Sequence, residues 1–464
     1  MSVTVHIAYV LWLLLGAVAF YKLPPRTAVL ATFISGWLFL PNAGYDILAL
    51  HSKPNIVSAG VLVWSAIFHS QLWLRLRLRL IDVPMLVWCC FCPLASSITN
   101  DLGNYDAVSA LVYSVLVWGV PYLVGRLYFG SVEGLRELAI GVLMAGIVYV
   151  PFCLWEIRMS PHLHEHLYGF RQHDFAQTYR FGGWRPMVFK QHGLAVALGM
   201  GTATLLALWM WGSGTLKKLW GVPSGLIALV LCVTTVLCKS VNAIVLVILG
   251  SLVYVLNKSL KTALPIVFLA LLPPVYMYLR ITGSFSGEAL VTLTGQTINE
   301  DRAQSIEFRL VNEKLLLDQA FKKKLLGWSR WGGSRIRDKA GRDLAITDSV
   351  WIIVFGVNGI VGLIALTAFQ LLPVFVLLLR CPAKYWPHPK IAPAGALAVV
   401  LVLDMVDDMF NSMYDPLFFI AAGALMGLTK HSVVAALKPS ILAAQRRLRP
   451  ASAPQVVTAR TPGF

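Results

Sequence analysis

Asp348 and the arginines that could gather round it are where this chain could do chemistry. Arg309 belongs to a long polar interval, residues 281 to 347, that ends at Thr347 beside Asp348 and carries eleven basic side chains: Arg302, Arg309, Lys314, Lys322, Lys323, Lys324, Arg330, Arg335, Arg337, Lys339 and Arg342. Arg180 and Arg185 stand in a second polar stretch, residues 158 to 188, on either side of Gly182-Gly183. A guanidinium meets phosphate oxygens through two parallel hydrogen bonds, so arginines held beside a bilayer fit a phosphate-bearing, lipid-linked substrate. A cationic pair on a bendable Gly-Gly backbone suits a diphosphate; ordinary lipid head groups are the competing partner.

The elements that must position these residues are apolar helices. With 57% hydrophobic residues, 13% charged and a mean hydropathy of +0.70, the chain lies far from soluble domains, in which about a quarter of residues are charged. Runs approaching the ~20 apolar residues needed to cross a bilayer recur from end to end. They predict an all-α, polytopic membrane protein of about 13 spans: 3–21, 27–41, 54–70, 83–98, 106–125, 136–157, 189–212, 219–237, 241–257, 262–280, 349–379, 391–410 and 416–432. Grouped, these give N-terminal helices in 1–157, a first outer loop 158–188, central helices 189–280, a large outer loop 281–347, C-terminal helices 348–432 and a basic tail 433–464.

Charge orients the map. With the N-terminus outside, twenty Lys and Arg fall in inner segments and the tail, while the short outer loops hold only Lys53 and Lys239. That asymmetry is the positive-inside rule, and long loops translocate regardless of charge. Both polar intervals, Asp348 and the acidic stretch 404–415 then face outward, away from the cytoplasm. The net charge of +17 sits mostly in the inner loops and tail, against anionic lipid, so it is no argument for nucleic acid. Ala17-Val18-Ala19 resembles a signal-peptidase site, but no charged region precedes it, and the first span is expected to be retained.

Other polar groups admit several readings. Residues 307–326 read as an amphipathic helix with Leu310, Leu317, Phe321 and Leu325 on one side and a stop at Gly327. Trp328 and Trp331 could then stack on a sugar ring, with Arg330 holding an anionic group, or could anchor the chain at the bilayer surface. Asp404 and Asp408 are spaced to share a helix face with Asn411 and Asp415. They could bind acceptor hydroxyls, pair with loop arginines or supply a base, while Asp415-Pro416 reads as a helix cap. His162, His164 and His166 alternate, which on an extended strand would make a three-imidazole metal face; a polar interfacial loop is the alternative, and no metal site is expected. The seven cysteines lie in or beside spans without Cys-x-x-Cys spacing and read as small core residues.

Asp348-Ser349-x-Trp351-Ile352, with Gly359 eleven residues after Asp348 and then Ile360-Val361-Gly362, resembles the outer-loop-to-helix signature of the O-antigen ligase and O-antigen polymerase superfamily. In that family a histidine stands where this chain has Asp348. Arg309, the helix after it and Gly327-Trp328 are similar to the family's loop arginine, amphipathic helix and glycine turn, and Arg180 to Pro186 to its earlier Arg-Gly element. The resemblance implies a metal-independent, inverting transfer of a glycan from a polyprenyl-diphosphate carrier to an acceptor hydroxyl on a glycan or lipid, with no cofactor. Asp348 would be the base or the cap of the next helix, with Arg180, Arg185 and Arg309 contacting the diphosphate. Two other classes stay open: a transporter or flippase of lipid-linked oligosaccharides using Asp404, Asp407 and Asp408, and a non-catalytic scaffold of an export complex.

Overall fold

The computed structural model describes residues 2–45, 52–297, 300–330, 332–346 and 348–438. Trp331, Thr347, the Arg302 side chain and the tail arginines Arg446, Arg447, Arg449 and Arg460 lie outside the described residues. Helix accounts for 73% of the structure, and among the described residues strand amounts to two hairpins of two-residue strands and one isolated bridge, so the all-α expectation holds.

Among the described residues, eight helices are long and apolar enough to cross a membrane: Val3–Lys22, Leu80–Ile98, Asn104–Tyr128, Val132–Met159, Gly193–Gly212, Val241–Leu260, Leu264–Ile281 and Val350–Arg380. Shorter apolar helices of 12 to 16 residues, Pro25–Phe39, Lys53–Phe68, Ser224–Leu237, Ala392–Asp407 and Pro416–Gly427, fall on the remaining expected spans. At ~1.5 Å per residue they are too short to cross unaided.

Proline shapes two of the long helices. Pro93 and Pro121 lack an N–H and clash with the carbonyl four residues back, and in both cases the preceding turn widens to a π-helix, Val87–Phe91 and Val115–Gly119. The freed carbonyl of Val117 accepts a hydrogen bond from the Tyr414 hydroxyl. Glycine sets the closest helix pair: a Cβ on Gly423 would lie 1.8 Å from the Tyr122 carbonyl oxygen, so Pro416–Gly427 rests directly on the backbone of Asn104–Tyr128.

The longest helix, Val350–Arg380, is broken at Gly359, whose φ is +64°. Around the break, the polar interval supplies partners for four backbone groups of the helix. Trp328 N–H donates to Gly356 O and Ser329 N–H to Val357 O, while Ile360 N–H donates to Lys324 O and Val361 N–H to Leu325 O. Segment 324–329 is thereby stitched into the helix, and Asn100 Nδ2 holds it from the other side through Gly327 O at 2.9 Å. Only glycine fits at the crossing: a Cβ on Gly359 would lie 2.2 Å from Leu325 O, and one on Gly327, φ +70°, would lie 2.4 Å from Val357 C.

The bundle has two unlike ends. At one, Asp82 pairs with Arg126 at 2.9 Å, and Arg380 donates to the Met426 carbonyl at 2.9 Å. The other end gathers Asp348, Arg309, the Ala392–Asp407 helix C-terminus and both polar intervals.

Candidate functional site

The loop helix Glu300–Phe321 begins before the expected 307–326 and ends earlier, because Lys322 to Leu326 form turns that lead into the stitched segment. Its buried side chains are Ala303, Asn312, Glu313, Leu316, Leu317 and Ala320; of the expected stripe Leu317 is buried and Leu310 partly buried, while Phe321 and Leu325 are exposed. One guanidinium docks this helix. Arg280, at the end of Leu264–Ile281, donates from Nε to Glu313 at 3.0 Å, from Nη2 to Leu310 O and from Nη1 to the carbonyls of Phe285 and Ser286. Tyr276 Oη and Trp351 Nε1 also donate to Glu313. Burial pushes the Glu313 carboxyl up, with the hydrogen bonds from Tyr276, Arg280 and Trp351 pulling the other way.

Arg309 is one turn before Glu313 and therefore borders the same space. That space is a cavity of about 290 Å³, lined by Arg309, Asp348, Glu313 and Asn312 together with a mostly apolar wall that includes Phe285 and Phe410. Asp348 is anchored on both flanks. Ile346 N–H donates to Asn312 Oδ1 at 2.8 Å, and Val350 N–H donates to the Asp408 carbonyl at 2.9 Å. Its own carboxylate is exposed and forms no ion pair among the described residues. The cap alternative fails, because Ser349 occupies the N-cap position of the next helix. Arg309 and Asp348 thus line one cavity without closing on each other, which leaves room for a ligand between a cation and a carboxylate.

Asp404 and Asp408 are corrected as sugar contacts. Both are buried between helices and accept from Gln370 Nε2, at 3.5 and 2.8 Å, and neither lines this cavity. Asp408 contributes through its backbone, by holding Val350. Asp407 accepts from Asn242 and Asn411 and feels the charge of Arg309.

The Arg180–Arg185 clamp is also corrected. Arg180 and Gly183 pair across a tight hairpin whose tip is Phe181-Gly182, and Arg180 is exposed. Arg185 is buried and donates to Lys239 O at 3.0 Å. Both arginines face His192, whose pKa burial lowers to about 4. Neither lines the Arg309–Asp348 cavity.

Trp328 is a fastener rather than an open platform. Its indole N–H donates to Gln319 O at 2.9 Å, and Lys323 Nζ sits 4.7 Å from its ring. The histidine trio does not converge: residues Leu163–Tyr168 form a helix, not a strand, and His164 is buried. Its Nε2 accepts from Asn42 N–H, so Nδ1 carries the proton toward Phe170 O. Asp415 caps Pro416–Gly427 as expected and also accepts from Lys190 and Trp37.

Arg330 borders a second cavity of about 360 Å³, where Trp88, Tyr113, Trp118 and Tyr414 form much of the wall. Its guanidinium lies over the Tyr113 ring at 3.3 Å. The two cavities share Leu316 and Ile352.

Sequence reasoning missed Glu313, Arg280 and the four aromatics. A glutamate on the apolar face of the loop helix was a usable signal for the first pair. The aromatics looked like ordinary span residues, although the repeated Val-Trp followed by a proline, at 87–93 and 117–121, was visible. Comparison with protein-family models gives no match for this chain, and no curated protein matches it. Fold and composition define an all-helical membrane protein.

Proposed function

We propose that this protein is a membrane glycan transferase that moves a glycan from a polyprenyl-diphosphate carrier to an acceptor hydroxyl. The observation that carries this reading is the Arg309–Asp348 cavity: a carboxylate with no ion pair among the described residues and a guanidinium line one space whose remaining wall is largely apolar. Asp348 takes the proton from the acceptor hydroxyl as its oxygen attacks the anomeric carbon. The bond from that carbon to the diphosphate breaks, and Arg309 takes up the charge that develops on the leaving group. The apolar wall accepts the first isoprene units of the carrier. The resemblance to O-antigen ligases and polymerases agrees with this division of labour, with aspartate in the histidine's place.

In this reading the helical segments on all thirteen apolar runs cross the membrane or reach deep into it. The site faces the exterior, and the Arg79, Arg126 and Arg380 end faces the cytoplasm. The strong basic asymmetry between the two sides supports that orientation.

The test is to incubate the protein in nanodiscs with a polyprenyl-diphosphate glycan and candidate acceptors. Wild type is expected to form a new glycosidic bond, and Asp348→Asn and Arg309→Ala are expected to lose it. Turnover that survives both substitutions overturns the site. Passage of the lipid across vesicles with no new bond would favour the transporter, whose buried carboxylates in Ala392–Asp407 are its strongest point.

A further inference from the structure

We infer that the second cavity, around Arg330, is a binding chamber for a glycan ring that carries an anionic group. This deepens the transferase reading: the binding site stands on its own geometry, and only its role as the acceptor subsite rests on that reading.

Three observations converge. The first is the wall. Trp118 meets Trp88 at 5.3 Å and Tyr414 at 5.0 Å between ring centroids, in edge-to-face arrangements. Such rings present apolar faces to sugar C–H groups, while Ser114, Asn358 and Ser412 supply polar atoms for hydroxyls. The second is an unspent donor. Trp88 is buried, and its indole N–H has no hydrogen-bond partner among the described residues, a cost that a ligand or water would meet. The third is charge. No carboxylate lines the chamber, and Arg330 forms no ion pair among the described residues; Arg335, the other cation there, is taken up by Asp343 at 2.7 Å. Arg330 lies over the Tyr113 ring and hydrogen-bonds with that side chain, but a guanidinium has five N–H donors, more than one tyrosine takes up, so donors remain for a carboxylate or a single phosphate.

The backbone supports the same assignment. Trp88 and Trp118 each sit in one of the two π-turns, a distortion that recurs at functional sites and that Pro93 and Pro121 build into this chain. Leu316 and Ile352, the wall common to both cavities, put the chamber one layer of side chains from Asp348, close enough for a bound glycan to offer a neighbouring hydroxyl there.

Binding can be read without turnover. Nanodisc-embedded protein is titrated with a glucuronic-acid-terminated disaccharide, its neutral glucose-terminated counterpart and polyprenyl phosphate, with saturation-transfer NMR reporting which protons touch the protein. The acidic disaccharide is expected to bind, with transfer to its ring C–H protons. Arg330→Gln is expected to weaken it about ten- to hundredfold and to leave the neutral sugar unchanged. Ser412→Trp, which fills the chamber, is expected to abolish both, with thermal unfolding as the check that each variant folds. Asp348→Asn should bind the disaccharide like wild type, so a failure of the transferase reading leaves this result standing. Equal binding of the two disaccharides unaffected by Arg330→Gln overturns the anionic assignment. Displacement by polyprenyl phosphate, or no saccharide binding at all, overturns the chamber as a glycan site.

Discussion

The two cavities that share Leu316 and Ile352 are built from opposite materials. Around Asp348 the polar groups are few and the wall is otherwise largely aliphatic or phenylalanine, as suits a charged head on a hydrocarbon tail. Around Arg330 indole, phenol, hydroxyl and amide groups stand among the aliphatic side chains of the wall, as suits a hydrated ring with many small dipoles. Arg309 is the cation of the first and shares its wall with the Asp348 carboxylate, whereas of the two arginines in the second Arg335 is paired with Asp343 and Arg330 has an aromatic face beneath it. The contrast teaches that charge alone does not define a site in this loop, since most of its basic residues border neither cavity. What the guanidinium is set against decides its use.

That comparison can be broken in several ways. The largest effect is expected from Asp348→Asn, which should cut transfer by about 10²–10⁴-fold, the range for loss of a general base, while leaving saccharide binding intact. A variant that loses both would show one site rather than two. Next comes Glu313→Ala. It strands Arg280 in a buried position and should cost about 3–5 kcal/mol of stability by chemical or thermal unfolding. Because Glu313 lines only the first cavity, transfer should fall more than binding at Arg330.

Gly359→Ala should affect both cavities together. The added methyl meets backbone at 2.2 Å, so the loss should reach about 3 kcal/mol, at the top of the range for a strained backbone. Unchanged unfolding would refute the stitched junction. The smallest expected effect is a pH dependence of the whole fold, set at His164, which lines neither cavity. Burial lowers His164 from the ordinary value of 6.5 to about 4, since its Nε2 must stay unprotonated to accept from Asn42. The unfolded chain therefore binds a proton that the folded one refuses. Stability is complete above pH 6.5 and falls by roughly 2–3 kcal/mol as the pH drops toward 4. Replacing His164 by Gln should flatten that slope; an unchanged slope would assign it elsewhere.

Much of the scaffold was legible in the sequence. Long apolar runs have few alternatives to helix in a bilayer, and the helices fall where those runs are. That Arg309 and Asp348 border one cavity fits the expectation that a loop arginine and a carboxylate at a helix start share a site. The clamp of Arg180 and Arg185 was misread, since spacing says nothing of burial, and Arg185 is spent on Lys239 O. Asp404 and Asp408 were misread because a shared helix face need not be the face a cavity borders. The junction at Gly359 could not be read at all. It needs backbone donors and acceptors from residues 324–329, and no local pattern announces which distant segment will supply them.

That junction bears on how the protein can be altered. Residues 324–329 do two jobs at once, closing the external segment and completing an interior helix, so the segment cannot be exchanged as a cassette or lengthened there without unseating Val350–Arg380. The exposed turn at Asp338-Lys339-Ala340-Gly341 carries no such duty. A reporter or epitope inserted in that turn should leave the molecule's architecture intact.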